Sequence, residues 1–494
     1  MTSLRSILTC IYCLATIFIC RNPLIAQDEY QDWLKRDKGS YQKFQKQEDE
    51  EFSTFLKAEW ESLNAFQGII PDTAPKPVNI PVYIPPMGKV SPKILPVNDP
   101  VSPPELPEPK PTVKPMKNKE DVLDKVRNSK STTVHFLGLQ LDFEVDKTMS
   151  KHLSGNIDKR FVSDYWDYIT ATDYVPVLKQ VMAYRQEYDL NDWGYGLLLK
   201  NLGQSIYKDD NLVNLFTWFM LLKSGYDARV GYNSDSIILL LSSVDEIYGS
   251  TFFKFEGTER RYYALSFGES PESPEGSLFI YKGDYAGSES LMDFSVRKIP
   301  TLGKKPQKRV LKFSYKGTQY SVDMVVSKEI AELYNYYPLT PMSVFMDAAV
   351  SEMVDYVLLN SLGKLIKGKA EAEAVNLLLR FVQTAFKYQT DDEQFGREKY
   401  LIPDETLFYS YSDCEDRSIL FAHLVRKLVG VPVIGLDYPG HIATAVNFTG
   451  EVTGDAVQYG DTRYVICDPT YINADIGMAM PQFKDTPAVV IGLQ

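Results

Sequence analysis

Three short stretches decide how this chain is read: Ser412-Asp413-Cys414-Glu415-Asp416, then Gly440-His441-Ile442-Ala443, then Cys467-Asp468-Pro469-Thr470. The first opens an amphipathic run with helical spacing. The second opens an alternating run after the turn Asp437-Tyr438-Pro439-Gly440, and the third closes the run Tyr464-Val465-Ile466-Cys467-Asp468. A cysteine at a helix start, a histidine on one strand and an aspartate on the next is a constellation for nucleophilic thiol chemistry. Such groups are scarce in the rest of the chain, which holds 5 Cys and 4 His in 494 residues.

Three of those cysteines, Cys10, Cys13 and Cys20, fall in residues 1–26, which read as a secretory signal peptide. Arg5 supplies the positive end, Ile7 to Ile19 the apolar stretch and Ala26 before Gln27 the cleavage point. The apolar run is too short to span a bilayer, and Cys20 lacks the small neighbours of a lipid-attachment site. The expectation is an exported protein, periplasmic or extracellular, without a membrane span. Two mature cysteines make no disulfide framework. Burial must stabilise the cores, and a composition 44% hydrophobic and 13% aromatic suffices. A net charge of −12 argues against nucleic acid and anionic membrane as partners.

Residues 27–70 carry aromatics at helical spacing, including Trp33, Phe44, Phe52, Phe55, Trp60 and Leu63, and predict two amphipathic helices broken at Lys38-Gly39-Ser40. Residues 71–116 form a Pro-rich linker, with 15 of the chain's 29 prolines between 71 and 115. That density predicts an extended, semi-rigid spacer with no helix or central strand.

The rest reads as one α+β unit written twice, at 130–302 and 306–494. Phe136, Phe143, Val145, Asp146, Ser150 and Lys151 recur as Phe313, Tyr320, Val322, Asp323, Ser327 and Lys328, offset by 177. Further on, the helix beginning at Leu212 and ending at Gly225 recurs as Ser418 to Gly430, offset by 205. The difference of 28 marks extra sequence in the second copy, and it falls just before Cys414, roughly at Tyr388 to Ser410. Where the second copy has Cys414, His441 and Asp468, the first has Asp209, Ser236 and Ser266. It cannot run the same chemistry, so it is expected to be a folded, degenerate copy.

Within the second copy, Ser412-x-x-Glu415 predicts a capping box that puts Cys414 in the first helical turn, where bare N–H groups and the helix dipole favour a thiolate. Asp413, Glu415 and Asp416 oppose this, so a nearby cation is needed and an imidazolium is the natural one. Alternation puts Ala443 and Ala445 on the face of His441, and Ile442, Thr444, Val446 and Phe448 on the other. Asp468 on a paired strand can fix the tautomer of His441, while Cys467 points away. A Cys414–Cys467 disulfide is the main structural alternative. The remaining residues give no zinc spacing, and neither metal nor cofactor is expected.

These motifs resemble the core of the transglutaminase-like superfamily, over about 100 residues (roughly 380–475). The resemblance implies a papain-like fold, a helix packed on an antiparallel sheet, in two tandem domains with the first degenerate. It also implies Cys414 as nucleophile, His441 as general base and acid, and Asp468 as its orienting group. Many members have Gly-x-Cys where this chain has Ser-Asp-Cys. Related proteins place an oxyanion donor near Phe386-Lys387-Tyr388-Gln389, which suggests Gln389 beside the Cys414 N–H. The expected function is thiol-dependent acyl transfer on peptide or amide bonds, with hydrolysis favoured over cross-linking and a protein, peptide or cell-wall peptide as substrate. The rival reading is a noncatalytic cell-envelope adaptor.

Overall fold

The computed structural model describes residues 43–70, 76–79, 81–85, 91–98, 126, 128–270, 273–274, 276–303 and 306–493. The expected signal peptide and the first of the two expected N-terminal helices lie outside the described residues. The second helix is present over residues 43–58, but the chain then extends as β1 (Trp60–Asn64) rather than continuing as helix. Two further short strands, β2 (Ile94–Leu95) and β3 (Val97–Asn98), lie in the Pro-rich region.

Two α+β units follow. The first begins with a hairpin of β4 (Ser129–Phe136) and β5 (Leu139–Asp146). Its helices end with Asp192–Ile206 and Asp210–Lys223, and its strands are β6 (Ala228–Tyr232), β7 (Ile237–Leu241), β8 (Phe252–Phe253), β9 (Tyr262–Ala264) and β10 (Ser277–Tyr281). The second begins with a hairpin of β11 (Gln307–Tyr315) and β12 (Thr318–Val326). It continues through the helix Glu371–Ala385, β13 (Lys387–Tyr388), β14 (Tyr411–Ser412) and the helix Cys414–Leu428. Its remaining strands are β15 (Val433–Tyr438), β16 (His441–Val446), β17 (Ala456–Tyr459), β18 (Thr462–Cys467) and β19 (Ala488–Ile491).

The two hairpins turn on Leu137-Gly138 and Lys316-Gly317, all four at positive φ, a spacing of 179 that is two residues off the 177 of the sequence match. Such a two-residue turn matches the right-handed twist of the strands it joins. Beyond them, the sheets run β1-β10-β6-β7-β9-β8 and β2-β17-β18-β16-β15-β19-β3. Without the N-terminal strands the two paths coincide, and even the register agrees: Leu240 and Leu241 face Ala264 and Tyr263, as Ala445 and Val446 face Ile466 and Val465. The repeated sequence is thus a repeated topology.

Each sheet packs one face on the long helix that precedes it. In the first unit Leu212, Leu215, Phe216, Phe219 and Leu222 are all buried. In the second, Ile419, Leu420, Leu424 and Val425 meet Ile442, Val446 and Val465. That helix ends at Gly430, whose φ of 82° suits a glycine cap. The opposite face of the second sheet buries Leu436, Ala443, Ala445 and Ile466 against Leu95 from the Pro-rich region. The two units also touch: Trp193 Nε1 donates to Leu333 O at 3.0 Å and Asn191 Nδ2 to the Tyr337 hydroxyl at 2.7 Å.

The expected spacer is instead a strap across the second unit. Tyr83 N donates to Ile472 O at 2.7 Å, and Ile472 N to Pro81 O at 2.9 Å. β2 and β3, separated by Pro96 alone, then pair in parallel with β17 and β19, so the strap joins the two ends of the strand order and closes the second sheet on itself. Proline forbids a central strand but tolerates an edge, so a proline-dense segment can still add strands of two residues.

Candidate active site

Cys414 is the first residue of its helix, and Asp413 is the N-cap. The capping box lies one residue later than expected. Asp413 N donates to Asp416 Oδ2 at 3.2 Å, whereas Ser412 Oγ accepts from Arg417 Nε at 3.0 Å. Arg417 is fully buried and also donates to Gln383 O (3.3 Å) and Phe386 O (3.1 Å). It takes the Ser412 hydroxyl away from the helix end, and Asp413 takes over the cap.

His441 and Asp468 come together as predicted. Thr444 faces Cys467 across the β16–β18 ladder, so His441 and Asp468 share a face on a diagonal. Their contact is Nε2 to Oδ2 at 2.9 Å, with both side chains buried. Asp468 Oδ1 accepts from Thr470 N (2.9 Å) and Tyr471 N (3.1 Å). Gln383, which sequence reasoning missed, clamps this loop by donating Nε2 to the carbonyls of Asp468, Tyr471 and Ala474 at 3.1, 2.8 and 3.0 Å. The imidazole stacks on Phe483, with centroids 5.0 Å apart and planes 9° apart. With Asp468 Oδ2 as the acceptor, the proton sits on Nε2 and the lone pair on Nδ1, which is buried and has no partner.

His441 lies with Ala443 and Ala445 on one face of β16, and the Cys414 helix packs on the other, against Ile442 and Val446; that helix starts at Cys414. One turn after it, Ser418 Oγ donates to the carbonyl of Ile442, the neighbour of His441, at 3.2 Å. No hydrogen bond joins thiol to imidazole, however. Cys414 Sγ donates instead to Glu415 Oε2 at 2.8 Å. The thiol is 0% exposed. Burial pushes its pKa well above the usual range, and the charges of Glu415 and Asp413 add to this, while the Lys76 ammonium opposes it.

The cation beside the thiol is Lys76, from the strap, and not the imidazolium expected from the sequence. Its Nζ lies 2.6 Å from Glu398 Oε1, 2.8 Å from Glu415 Oε1, 3.3 Å from Asp413 Oδ2 and 3.9 Å from Asp391 Oδ2. Burial works against its charge, but Glu415, Asp413, Cys414 and Asp391 together hold it protonated. No local pattern marks this lysine in the sequence, because its partners lie more than 300 positions away. Burial and neighbouring carboxylates raise Asp391, Glu415 and Asp416. Asp391, Asp413 and Asp416 each place a ligand atom within 4.8 Å of the others, a set that could hold a hard cation.

The extra residues border this chamber. They supply Asp391 and Glu398, and Leu401 N donates to Asp416 Oδ1 at 2.9 Å. Most of their aromatics pack inward, as with Tyr400 on Phe345 and Phe395 on Tyr409. Parallel pairing of β13 with β14 sets Tyr388 opposite Ser412. Its buried hydroxyl has no partner, and burial with the charges of Cys414, Asp413 and Glu415 raises its pKa. Gln389 is half-buried and makes no hydrogen bond to the thiol, so Tyr388 is the better-placed side-chain donor. Both mature cysteines are free, and Cys467 packs on the opposite sheet face from Asp468, toward the helix.

In the first unit the equivalent residues do structural work. Asp209 caps its helix through Asn211 N (2.9 Å), Ser236 closes a turn on Asn233, and Ser266 accepts from Lys200 Nζ at 3.0 Å. Among the described residues, no helix is long and apolar enough to cross a membrane. No family model matches the chain, and no curated protein is significantly similar to it.

Proposed function

We propose that the second unit is a transglutaminase-like thiol enzyme of an exported protein, performing acyl transfer on peptide or amide bonds with water as the usual acceptor. The observation that carries this reading is the His441–Asp468 pair at 2.9 Å, with the other ring nitrogen buried and bare, on the strand against which the Cys414 helix packs. Once the thiol turns from Glu415 to the imidazole, its proton passes to His441 Nδ1 and the sulfur attacks the carbonyl carbon. The Cys414 N–H, unpaired at the helix start, and the Tyr388 hydroxyl would donate to the resulting oxyanion. As the C–N bond breaks, His441 returns the proton to the leaving amine. Water then adds to the thioester, His441 takes a proton from it, and the C–S bond breaks to release the acid and regenerate the thiol.

The first unit serves as a folded scaffold with its chemistry lost. The competing reading, a noncatalytic adaptor, draws support from the full burial and raised pKa of the thiol. Peptides and cell-wall fragments assayed with wild type, Cys414→Ala and His441→Ala separate the two. Turnover should vanish in the first variant and fall at least ~100-fold in the second. Turnover that survives Cys414→Ala, or none in any protein across the substrate set, would overturn the enzyme reading.

A further inference from the structure

We propose that the acidic chamber beside Cys414 is a subsite for a cationic side chain of the substrate, and that Lys76 occupies it as the chain's own competitor. The inference rests on the thiol-enzyme reading and adds to it a substrate class, an extended peptide bearing a lysine or similar primary amine.

Two observations beyond the acidity of the cluster point to a ligand. The chamber already holds an ammonium delivered from another part of the chain, with Lys76 only 7% exposed and four carboxylate oxygens within 3.9 Å. Asp413 is fully buried, yet its Oδ1 has no partner, so acceptor capacity remains unused. Two of the four carboxylates, Asp391 and Glu398, come from the extra segment, and the other two flank the thiol.

The strap also follows the path a substrate would need. From Lys76 at the thiol it reaches Pro81–Tyr83, which bonds in extended form to Ile472, four residues past Asp468. Tyr83 meets the Tyr471 ring edge-on at 5.6 Å. An extended backbone held by main-chain bonds, with one lysine inserted beside the nucleophile, is how a peptide would bind there.

Methanethiosulfonate reagents test the chamber without requiring turnover, since the thiolate simply forms a disulfide and expels methanesulfinate. The 2-aminoethyl reagent leaves an ammonium two carbons beyond the new disulfide, within reach of Glu415; the methyl and 2-sulfonatoethyl reagents serve as neutral and anionic comparisons. In full-length wild type, all three should label Cys414 slowly. In Lys76→Met, loss of the ammonium raises the thiol pKa, so the neutral reagent should gain no speed, while the ratio of aminoethyl to methyl labelling rates should rise on the order of tenfold over wild type.

A folded Lys76→Met protein in which the ratio of aminoethyl to methyl labelling rates is no higher than in wild type overturns the proposal. Should Lys76→Met lose its cooperative melting transition, Glu398→Gln takes its place. There the neutral reagent should gain speed while the preference for the cationic one falls, and no change in either rate counts against the subsite. Peptide turnover without cation preference would sink this inference and leave the enzyme reading standing. Cation-selective labelling without turnover would do the reverse.

Discussion

Arg417→Met is the most informative single perturbation of the scaffold behind the site. The methionine keeps the length of the stem but removes every donor. Ser412 Oγ, Gln383 O and Phe386 O, bonded at 3.0, 3.3 and 3.1 Å, are left buried without partners. Each orphaned acceptor costs about 1–3 kcal/mol. Loss of the guanidinium over the Tyr388 ring, at 5.5 Å, adds about 1 kcal/mol. Against this stands the desolvation of the charge itself, which brings the Arg417 pKa down to about 10 and whose relief returns about 3 kcal/mol. The net loss should be about 1–7 kcal/mol. Urea unfolding followed by far-UV circular dichroism would measure it, because all five tryptophans precede residue 219 and do not report on the second unit. A loss below about 1 kcal/mol would mean that water replaces the guanidinium freely and that Arg417 does not organise the loop.

Two further outcomes follow from backbone and buried charge. Gly477→Ala should cost about 2–4 kcal/mol in thermal melts, since φ is +77° and a Cβ would lie 2.7 Å from Gly454 Cα; Gly396→Ala, at φ +68° with open space around it, should cost only about 1–2 kcal/mol, and equal costs would contradict the packing argument. Burial raises the Asp404 pKa from 3.8 to about 6, so the folded state holds that proton more tightly than the unfolded chain does. Its contribution, about 3 kcal/mol, is therefore complete below the unfolded pKa and lost as pH rises through about 6. Urea midpoints at several pH values should show a shallower fall in Asp404→Asn than in wild type, and parallel curves would refute this.

Local periodicity carried most of what could be foreseen. The alternation that sets His441 with Ala443 and Ala445 and opposes Ile442 depends only on six consecutive residues, so no distant contact could disturb it. The degeneracy of the first unit was equally legible, because an absent thiol and imidazole need no coordinates. The cap was harder. Ser412-x-x-Glu415 and Asp413-x-x-Asp416 overlap by one residue, and the choice fell to Arg417, whose partners include carbonyls 31 and 34 positions away. Small neighbours around His441 suggested room on its face, whereas Phe483 fills that room from a loop with no sequence signal. Trp60–Asn64 continues a helical spacing yet pairs with Ser277–Tyr281, a case of tertiary contact overriding pattern. β2, β3 and Lys76 were illegible for one reason. Two-residue strands and single lysines have no periodicity, and their meaning lies in residues that follow hundreds of positions later.

The edge pairing of the strap also bears on the order of folding. Lys93 and its partner Asp485 are 392 positions apart, and β3 waits for β19, which is synthesised almost as long after it. During synthesis the first unit can close, and the second can begin to, while residues 76–98 still have nothing to bind. Loop closure over such a span makes this docking among the latest events. Its many prolines suit that interval, for they hold the waiting segment extended and deny it the regular hydrogen bonding through which it could pair wrongly. The chemistry beside Cys414 would then remain uncovered until β19 is in place, and the strap would seal only an assembled second unit.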